Sequence, residues 1–348
     1  MIPTKPPPCP LAIDSIVCRA PGELALERRP APARKPGEVL LRVRRVGICG
    51  TDMHIFRGTQ PFLSYPRVMG HELSGEVVEA EPASQLQLGD PVYVTPYLAC
   101  GKCAACTKGL SNACMDIQVM GVHRDGALTE YVSVPEGFVF KAEGVSLDEA
   151  AMLEFLAIGR HAIRRAQVQA GQSVLVVGTG PIGIATALFS QLSGGKVTAL
   201  DGREDRLAFV RKELHLSQTI SADEDVAARV AALTDGAGFD VVFDCTGNPK
   251  AMEAGFLYLA HGGRYVLVSI VSAAITFSDP EFHKREASVL GSRNALPQDF
   301  EDVLSAMRAG QVPSAALNTH RALLRDLPTV FESWMDPAEG VIKAIVEV

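Results

Sequence analysis

Val174-Leu-Val-Val-Gly178-Thr-Gly180-Pro181-Ile182-Gly183 is a short continuous apolar run that stops at a glycine-rich turn and gives way to an apolar helical stretch. Lys196 to Leu200 then reads as a second strand, ending in Asp201, eighteen residues after Gly183. A lone G-x-G-x-x-G is weak, but one that follows a strand, opens a helix and is answered by an acid predicts a dinucleotide site. The glycines let the backbone approach a pyrophosphate at the helix N-terminus, where unpaired amides and the helix dipole favour anions. Asp201 is expected to accept from the adenosine ribose 2′-hydroxyl, which favours NAD. NADP is the less favoured alternative, because Arg203 in the same loop can pair with a 2′-phosphate.

Downstream, helices and strands alternate. Asp205 to Leu214 and Asp223 to Leu233 read as helices, Phe239 to Cys245 as a strand, Pro249 as a helix start and Arg264 to Ser269 as a strand. That rhythm predicts an α/β, doubly wound parallel sheet. Such sheets bind ligands at the carboxyl ends of their strands, where Thr246, Gly247, Ser269 and Ile270 fall. The expected cofactor contacts are therefore Gly178, Gly180, Pro181, Ile182, Gly183, Asp201, Thr246, Ser269 and Ile270, with Arg206 beside the acid. The chain is expected to leave this sheet near Val289 to Arg293. A helix from Gln298 to Arg308 follows, and Val341 to Val348 reads as a strand returning to the first domain.

Upstream, the segments Glu38 to Arg44, Val77 to Glu79, Pro91 to Val94 and 127–140 carry strand patterns broken by Pro and Gly, which predicts a mostly antiparallel β domain. Within it lie Gly47-Ile-Cys-Gly-Thr-Asp-Met-His54 and Gly70-His-Glu72. Cys49 and His71 supply the thiolate and imidazole that zinc prefers, and a catalytic zinc with an open position needs a third protein ligand from elsewhere. Thr51, Asp52 and His54 add groups for proton transfer and for steadying the ligands. Glu154 sits among Met152, Leu153, Phe155 and Leu156, in a helical stretch from Asp148 to Arg165; a carboxylate in such company needs a partner, and zinc would be one. Cys100, Cys103, Cys106 and Cys114 follow the spacing C-x2-C-x2-C-x7-C, suited to a closed tetrahedral zinc in a loop with little core of its own. An iron–sulfur cluster is the competitor; the last spacing and the absence of a following proline fit it poorly.

The 348 residues allow two domains, and 47% apolar with 21% charged residues is ordinary for a globular chain. The net charge of −7, with no basic run beyond Arg42, Arg44 and Arg45, argues against a nucleic-acid partner. The N-terminal stretch lacks the apolar segment of a secretory signal, so a cytoplasmic protein is expected. The apolar stretch Val174 to Leu192 is too interrupted by glycine to suggest a membrane span. Four of the eight cysteines cluster, which in such a chain points to metal rather than disulfides.

Together these motifs resemble the zinc-dependent medium-chain dehydrogenases of the alcohol dehydrogenase superfamily, over essentially the whole chain. The resemblance implies a GroES-like catalytic domain over 1–152 with a structural zinc loop at 100–114, a Rossmann domain over 153–292, and a return to the catalytic domain over 293–348. It implies two zinc ions per chain: a catalytic one on Cys49, His71 and Glu154, and a structural one on the four cysteines. Met152-Leu-Glu-Phe-Leu-Ala-Ile-Gly-Arg-His-Ala162 is similar to the sorbitol and threonine dehydrogenase branch, whose third ligand is a glutamate; Phe155 replaces the usual proline. The run from His54 to His71 is most similar to bacterial galactonate and idonate oxidoreductases.

The implied reaction moves a hydride between a secondary alcohol of a polyol or sugar acid and NAD, the proton leaving through Thr51, the cofactor ribose and His54. Glu72 would be an exchangeable ligand or lie just behind the ligands, and Asp52 would orient the His71 ring. Arg293, with Arg57 and Arg160, would select a polyhydroxylated or carboxylated small-molecule substrate. A threonine 3-dehydrogenase or general alcohol dehydrogenase is the runner-up, and a non-catalytic zinc- and nucleotide-binding sensor the alternative of another class. No nucleic-acid or membrane partner is expected, and family habit suggests a homodimer or homotetramer.

Overall fold

The computed structural model describes residues 9–348; the proline-rich stretch 1–8, on which the expectation of no secretory signal rests, lies outside the described residues. The chain divides into two compact units: the chain up to Glu154 together with Val303–Val348, and Phe155–Asp302.

In the first unit the strand Glu38–Ile48 is the hub of a seven-stranded sheet. It pairs antiparallel with Glu72–Glu79, with Tyr131–Pro135 and with Lys343–Glu347. Its alternation of Val39, Leu41, Val43 and Val46 against Arg42 and Arg44 puts one face in a core shared with Leu73, Val77, Val92 and Val346. The register sets Glu72 opposite Gly47 and Ala344 opposite Ile48. Two neighbouring strands thus bring their first residues, Glu72 and Lys343, beside the segment that leads into Cys49.

The second unit holds a six-stranded, all-parallel sheet in the order Gln218–Ser221, Lys196–Asp201, Ser173–Val177, Phe239–Asp244, Leu259–Leu267, Ser288–Gly291. This is the doubly wound order of a dinucleotide-binding sheet. The strands Ser173–Val177 and Phe239–Asp244 are its centre, and Val174, Leu175, Val176, Val241, Val242 and Phe243 are buried as strands covered on both faces must be.

Gln218–Ser221, to which the sequence pattern assigns no element, is an edge strand; of its four residues only Ile220 is buried, so it carries no apolar run to mark it. The chain leaves the sheet after Gly291, within the expected span Val289 to Arg293, once Ser288–Gly291 has formed the sixth strand. The second unit runs on to Asp302. There Asp299 and Asp302 are bound by side chains of the helix Leu153–Ala166: the His161 ring and Arg164 on Asp299, and Arg160 and Arg164 on Asp302.

Candidate functional site

Cys49 ends the hub strand's connection and starts the helix Gly50–Phe56. Asp52, wholly buried, accepts from the Cys49 amide at 2.9 Å and from the Gly70 amide at 3.1 Å. Its carboxylate therefore ties together the two backbone segments that carry Cys49 and His71, a different task from the expected grip on the His71 ring. The first contact is also half of a capping box, which is why an acid three residues after Cys49 suits this helix start. Thr51 and His54 lie one turn apart on the same helix; His54 is exposed, its Nδ1 2.9 Å from the Thr59 hydroxyl.

The expected single helix is broken at Met152 into Leu147–Ala151 and Leu153–Ala166. The break sets Glu154 in the first turn of the second helix, where the positive end of the dipole favours a carboxylate. Glu154 is buried and accepts from the Tyr97 hydroxyl through one oxygen. Its other oxygen has no partner, and neither has Nδ1 of the buried His71. One donor atom each from Cys49, His71 and Glu72 lies within 4.8 Å of the others.

Charge in this cluster is unbalanced. Burial pushes the Glu154 carboxyl up to about 7, and the neighbouring Glu72 pushes the same way against the pull of His71. Burial would lower the His71 pKa, yet the Cys49 thiol, Asp52 and Glu154 outweigh it and raise it well above the usual range. Glu72 is the balanced member. Lys343, 1% exposed, places Nζ 2.8 Å from both its oxygens and 3.1 Å from the Ile48 carbonyl. A soft thiolate, an imidazole with an orphaned nitrogen and a carboxylate with an orphaned oxygen fit a zinc ion.

The four cysteines of the loop also come together, with one sulfur of each within 4.8 Å of the rest. The Cys100 amide points at the Cys114 sulfur at 3.2 Å and the Met115 amide at the Cys103 sulfur at 3.5 Å. Backbone amides lower the Cys103 thiol to about 6, while burial and the other thiols push Cys106 up to about 12. Thiols that share protons this way suit a set that surrenders them to a metal.

In the second unit, Gly178 turns the chain with φ of +88°, a conformation that favours glycine. The helix Pro181–Leu192 follows. A Cβ on Gly183 would stand 1.8 Å from the Gly178 carbonyl oxygen, whereas one on Gly180 would meet nothing within 4 Å. Asp201 closes its strand and accepts from the Thr179 amide at 2.6 Å, the Thr179 hydroxyl at 2.7 Å and the Arg203 amide at 2.9 Å. The Arg203 guanidinium is engaged by both oxygens of Asp205, at 3.0 and 2.6 Å. Arg206 is buried on the helix Glu204–Glu213. Thr246 and Ser269 both donate to the buried Asp244, at 3.0 and 2.7 Å, so one hidden carboxylate fixes two strand ends. Ile270 is 84% exposed. Arg293 is exposed just beyond the sixth strand, Arg57 is exposed at the end of the Gly50–Phe56 helix, and Arg160 is held by Asp302 at 2.8 Å.

Sequence reasoning missed Tyr97, Asp244 and Lys343. Lys343 had a signal: a lone charge inside Val341-Ile-Lys-Ala-Ile-Val346, the cue that singled out Glu154. Asp244, closing the run Val241-Val-Phe, had the same one. Tyr97 had none.

The family model described as the alcohol dehydrogenase GroES-like domain matches residues 35–144, and the one described as zinc-binding dehydrogenase matches residues 181–309. The chain is 40% identical over 332 residues to L-galactonate-5-dehydrogenase of Escherichia coli K12, covering 95% of this chain and 98% of that protein. Among solved structures it is similar to a short chain alcohol dehydrogenase from Escherichia coli CFT073 complexed with NADH, with a TM-score of 0.90, 27% identity, and coverage of 97% of this chain and 100% of that one. It is equally similar, with a TM-score of 0.90 and 26% identity over 97% of this chain and 99% of the other, to a putative zinc-binding dehydrogenase from Sinorhizobium meliloti bound to NADP. Among the described residues no helix is long and apolar enough to cross a membrane.

Proposed function

The chain belongs to the zinc-dependent alcohol dehydrogenase family, and from that premise we propose that it oxidises a secondary hydroxyl of a sugar acid or polyol to the ketone, with NAD as hydride acceptor. One observation carries the reading. Donor atoms of Cys49, His71 and Glu72 lie within 4.8 Å of one another, and His71 Nδ1 and the nearby buried Glu154 Oε2 lack hydrogen-bond partners, a donor set that makes sense around a cation. When bound, zinc would supply a Lewis acid that lowers the pKa of a hydroxyl, as it takes water to about 7, and a nicotinamide would supply the hydride acceptor.

The chain's own residues supply the rest. Cys49, His71 and Glu154 hold the metal, and the four-cysteine loop holds a second ion whose role is structural. Thr51 and His54, one turn apart on the helix Gly50–Phe56, would carry the hydroxyl proton outward, the exposed His54 ring delivering it to water. The amides at the start of Pro181–Leu192 hold the pyrophosphate, with Gly178, Gly180 and Gly183 leaving it room and Thr246, Ser269 and Ile270 beside it. Asp201 holds the adenosine ribose. Its carboxylate repels a 2′-phosphate, and Arg203, engaged by Asp205, is not turned to welcome one; both features support NAD over NADP. Arg293 reads the substrate carboxylate or hydroxyls in a guanidinium fork. The L-galactonate enzyme's likeness supports the sugar-acid class, and the edge strand Ser288–Gly291 supports assembly as a homodimer or homotetramer.

The test is absorbance at the NADH band with purified protein, NAD or NADP, and a panel of sugar acids, polyols, L-threonine and simple alcohols, beside a chelator-treated control. Chelator-sensitive turnover of a sugar acid or polyol with NAD is expected. Turnover confined to L-threonine, or unaffected by chelator, would refute the reading.

A further inference from the structure

The β-rich unit holds a cavity of about 750 Å³, the size of a small-molecule cleft. Four cations line it, Arg29, Lys35, Arg67 and Arg124, against two carboxylates, Glu38 and Asp125. The His123 ring on the same wall accepts the Val119 amide at Nδ1, at 3.1 Å, and so adds no charge. The wall thus carries an excess of two positive charges, in a chain whose net charge is −7. Neither the cluster around Cys49 and His71 nor the glycine-rich turn contributes a residue to it.

The cations are incompletely used. Asp125 takes Arg29 Nη1 at 3.1 Å on one oxygen and Arg67 Nη1 at 3.3 Å on the other. Neither guanidinium closes on it with the two parallel bonds that make an arginine–oxyanion pair strong. The Arg67 side chain is only 14% exposed and leaves a buried Nε without a partner, and a charge set that deep calls for fuller pairing. Lys35 and Arg124 make no side-chain hydrogen bond or ion pair among the described residues. Glu38 does not answer them, because it is turned to the Ser133 hydroxyl, which donates to it at 2.7 Å.

We propose that this cavity binds a small dianion, a phosphate or a dicarboxylate, apart from the metal and cofactor sites. Two negative charges match the excess on the wall. Arg29 and Arg67 exchange their single bonds to Asp125 for forks on the ligand, and Lys35 and Arg124 answer the rest of its charge. Asp125 is then a resident competitor, the anion that the two arginines hold while the cavity is open.

The test is titration calorimetry at low salt on the full chain saturated with NADH, which keeps the glycine-rich turn occupied. The probes are inorganic phosphate, succinate and, as a monoanion, acetate. Phosphate or succinate should bind at millimolar concentration or below, and whichever binds tighter identifies the source; acetate should bind roughly tenfold more weakly, having lost one charged contact. Arg29→Ala and Arg124→Ala should each weaken the dianion roughly tenfold, the low end for a lost bond to a charged group. Asp125→Asn should act in the opposite sense and tighten it roughly two- to fivefold, the worth of one solvent-screened charge. Its amide oxygen can still accept from the Val68 amide, as Asp125 does at 3.2 Å, so the fold is kept. Absence of binding by both dianions, affinity unchanged in both arginine variants, or weaker binding in Asp125→Asn would overturn the proposal.

Discussion

Replacing Gly183 and Gly180 separately with alanine should divide the glycine-rich turn's two duties, shaping the backbone and admitting the cofactor. At Gly183 the new methyl would lie 1.8 Å from the Gly178 carbonyl oxygen, against the 3.4–4 Å of ordinary contact. Backbone must therefore move by roughly 1.5 Å, and overpacking of that kind costs about 1–3 kcal/mol. At about 2–4 °C per kcal/mol for a unit of this size, melting should fall by roughly 2–12 °C. The displaced amides should also lose hold of the pyrophosphate; one lost bond to a charged group, about 1.5–3 kcal/mol, weakens binding by roughly 10- to 150-fold. At Gly180 the methyl meets no protein atom. Its cost to the fold is the poorer helix cap, at most ~1 kcal/mol, but it stands over the helix N-terminus where the pyrophosphate must approach. Calorimetry and NADH fluorescence titration should show Gly180→Ala melting near wild type yet binding NADH at least tenfold more weakly. The reasoning fails if Gly183→Ala melts with wild type, or if Gly180→Ala binds NADH with wild-type affinity.

Asp299 gives a test by pH. Burial raises its pKa, but the His161 ring and Arg164 outweigh burial and leave the folded value below the ordinary carboxylate range. Its stabilisation is therefore complete at neutral pH and is lost as the pH falls through about 4 and below. Asp299→Asn should cost about 2–3 kcal/mol at pH 7, less than a fully buried pair because the Arg164 side chain is 36% exposed. Equal melting temperatures for mutant and wild type at pH 7 would contradict this. Cys106→Ser should release one zinc per chain and lower the melting temperature, read by atomic absorption beside calorimetry; unchanged zinc content would exclude the loop as a metal site. Arg293→Ala should raise KM for a sugar acid roughly 10- to 100-fold, the worth of a lost charged fork, and leave KM for a simple alcohol unchanged; equal effects on both would count against a substrate role.

The sequence made the doubly wound sheet legible because its central strands are buried on both faces and so carry unbroken apolar runs, with glycines marking the turn between them. Gln218–Ser221 escaped notice because an edge strand has few buried positions from which a pattern can form. The residues proposed as ligands were legible because thiol, imidazole and carboxylate are scarce in apolar surroundings. Lys343 and Asp244 were not read, although each breaks an apolar run, because a lone charge tells that a partner exists without telling where. Glu72 and Lys343 are 271 residues apart, and only the sheet register brings them together. Asp52 was read for its charge beside the His71 ring, on which it does act; its hold on the Cys49 and Gly70 amides joins segments that spacing alone could not bring together.

That long separation between Glu72 and Lys343 also sets a timetable for biosynthesis. At roughly 5–20 residues per second, a nascent chain that has just produced Glu72 waits on the order of 15 to 50 seconds for the ammonium that neutralises it. All of Phe155–Asp302 is made during that interval, so the nucleotide-binding unit can be complete while the metal site still lacks its counter-charge. Lysine, rather than metal or cofactor, is then the last of this chain's own parts to reach the centre.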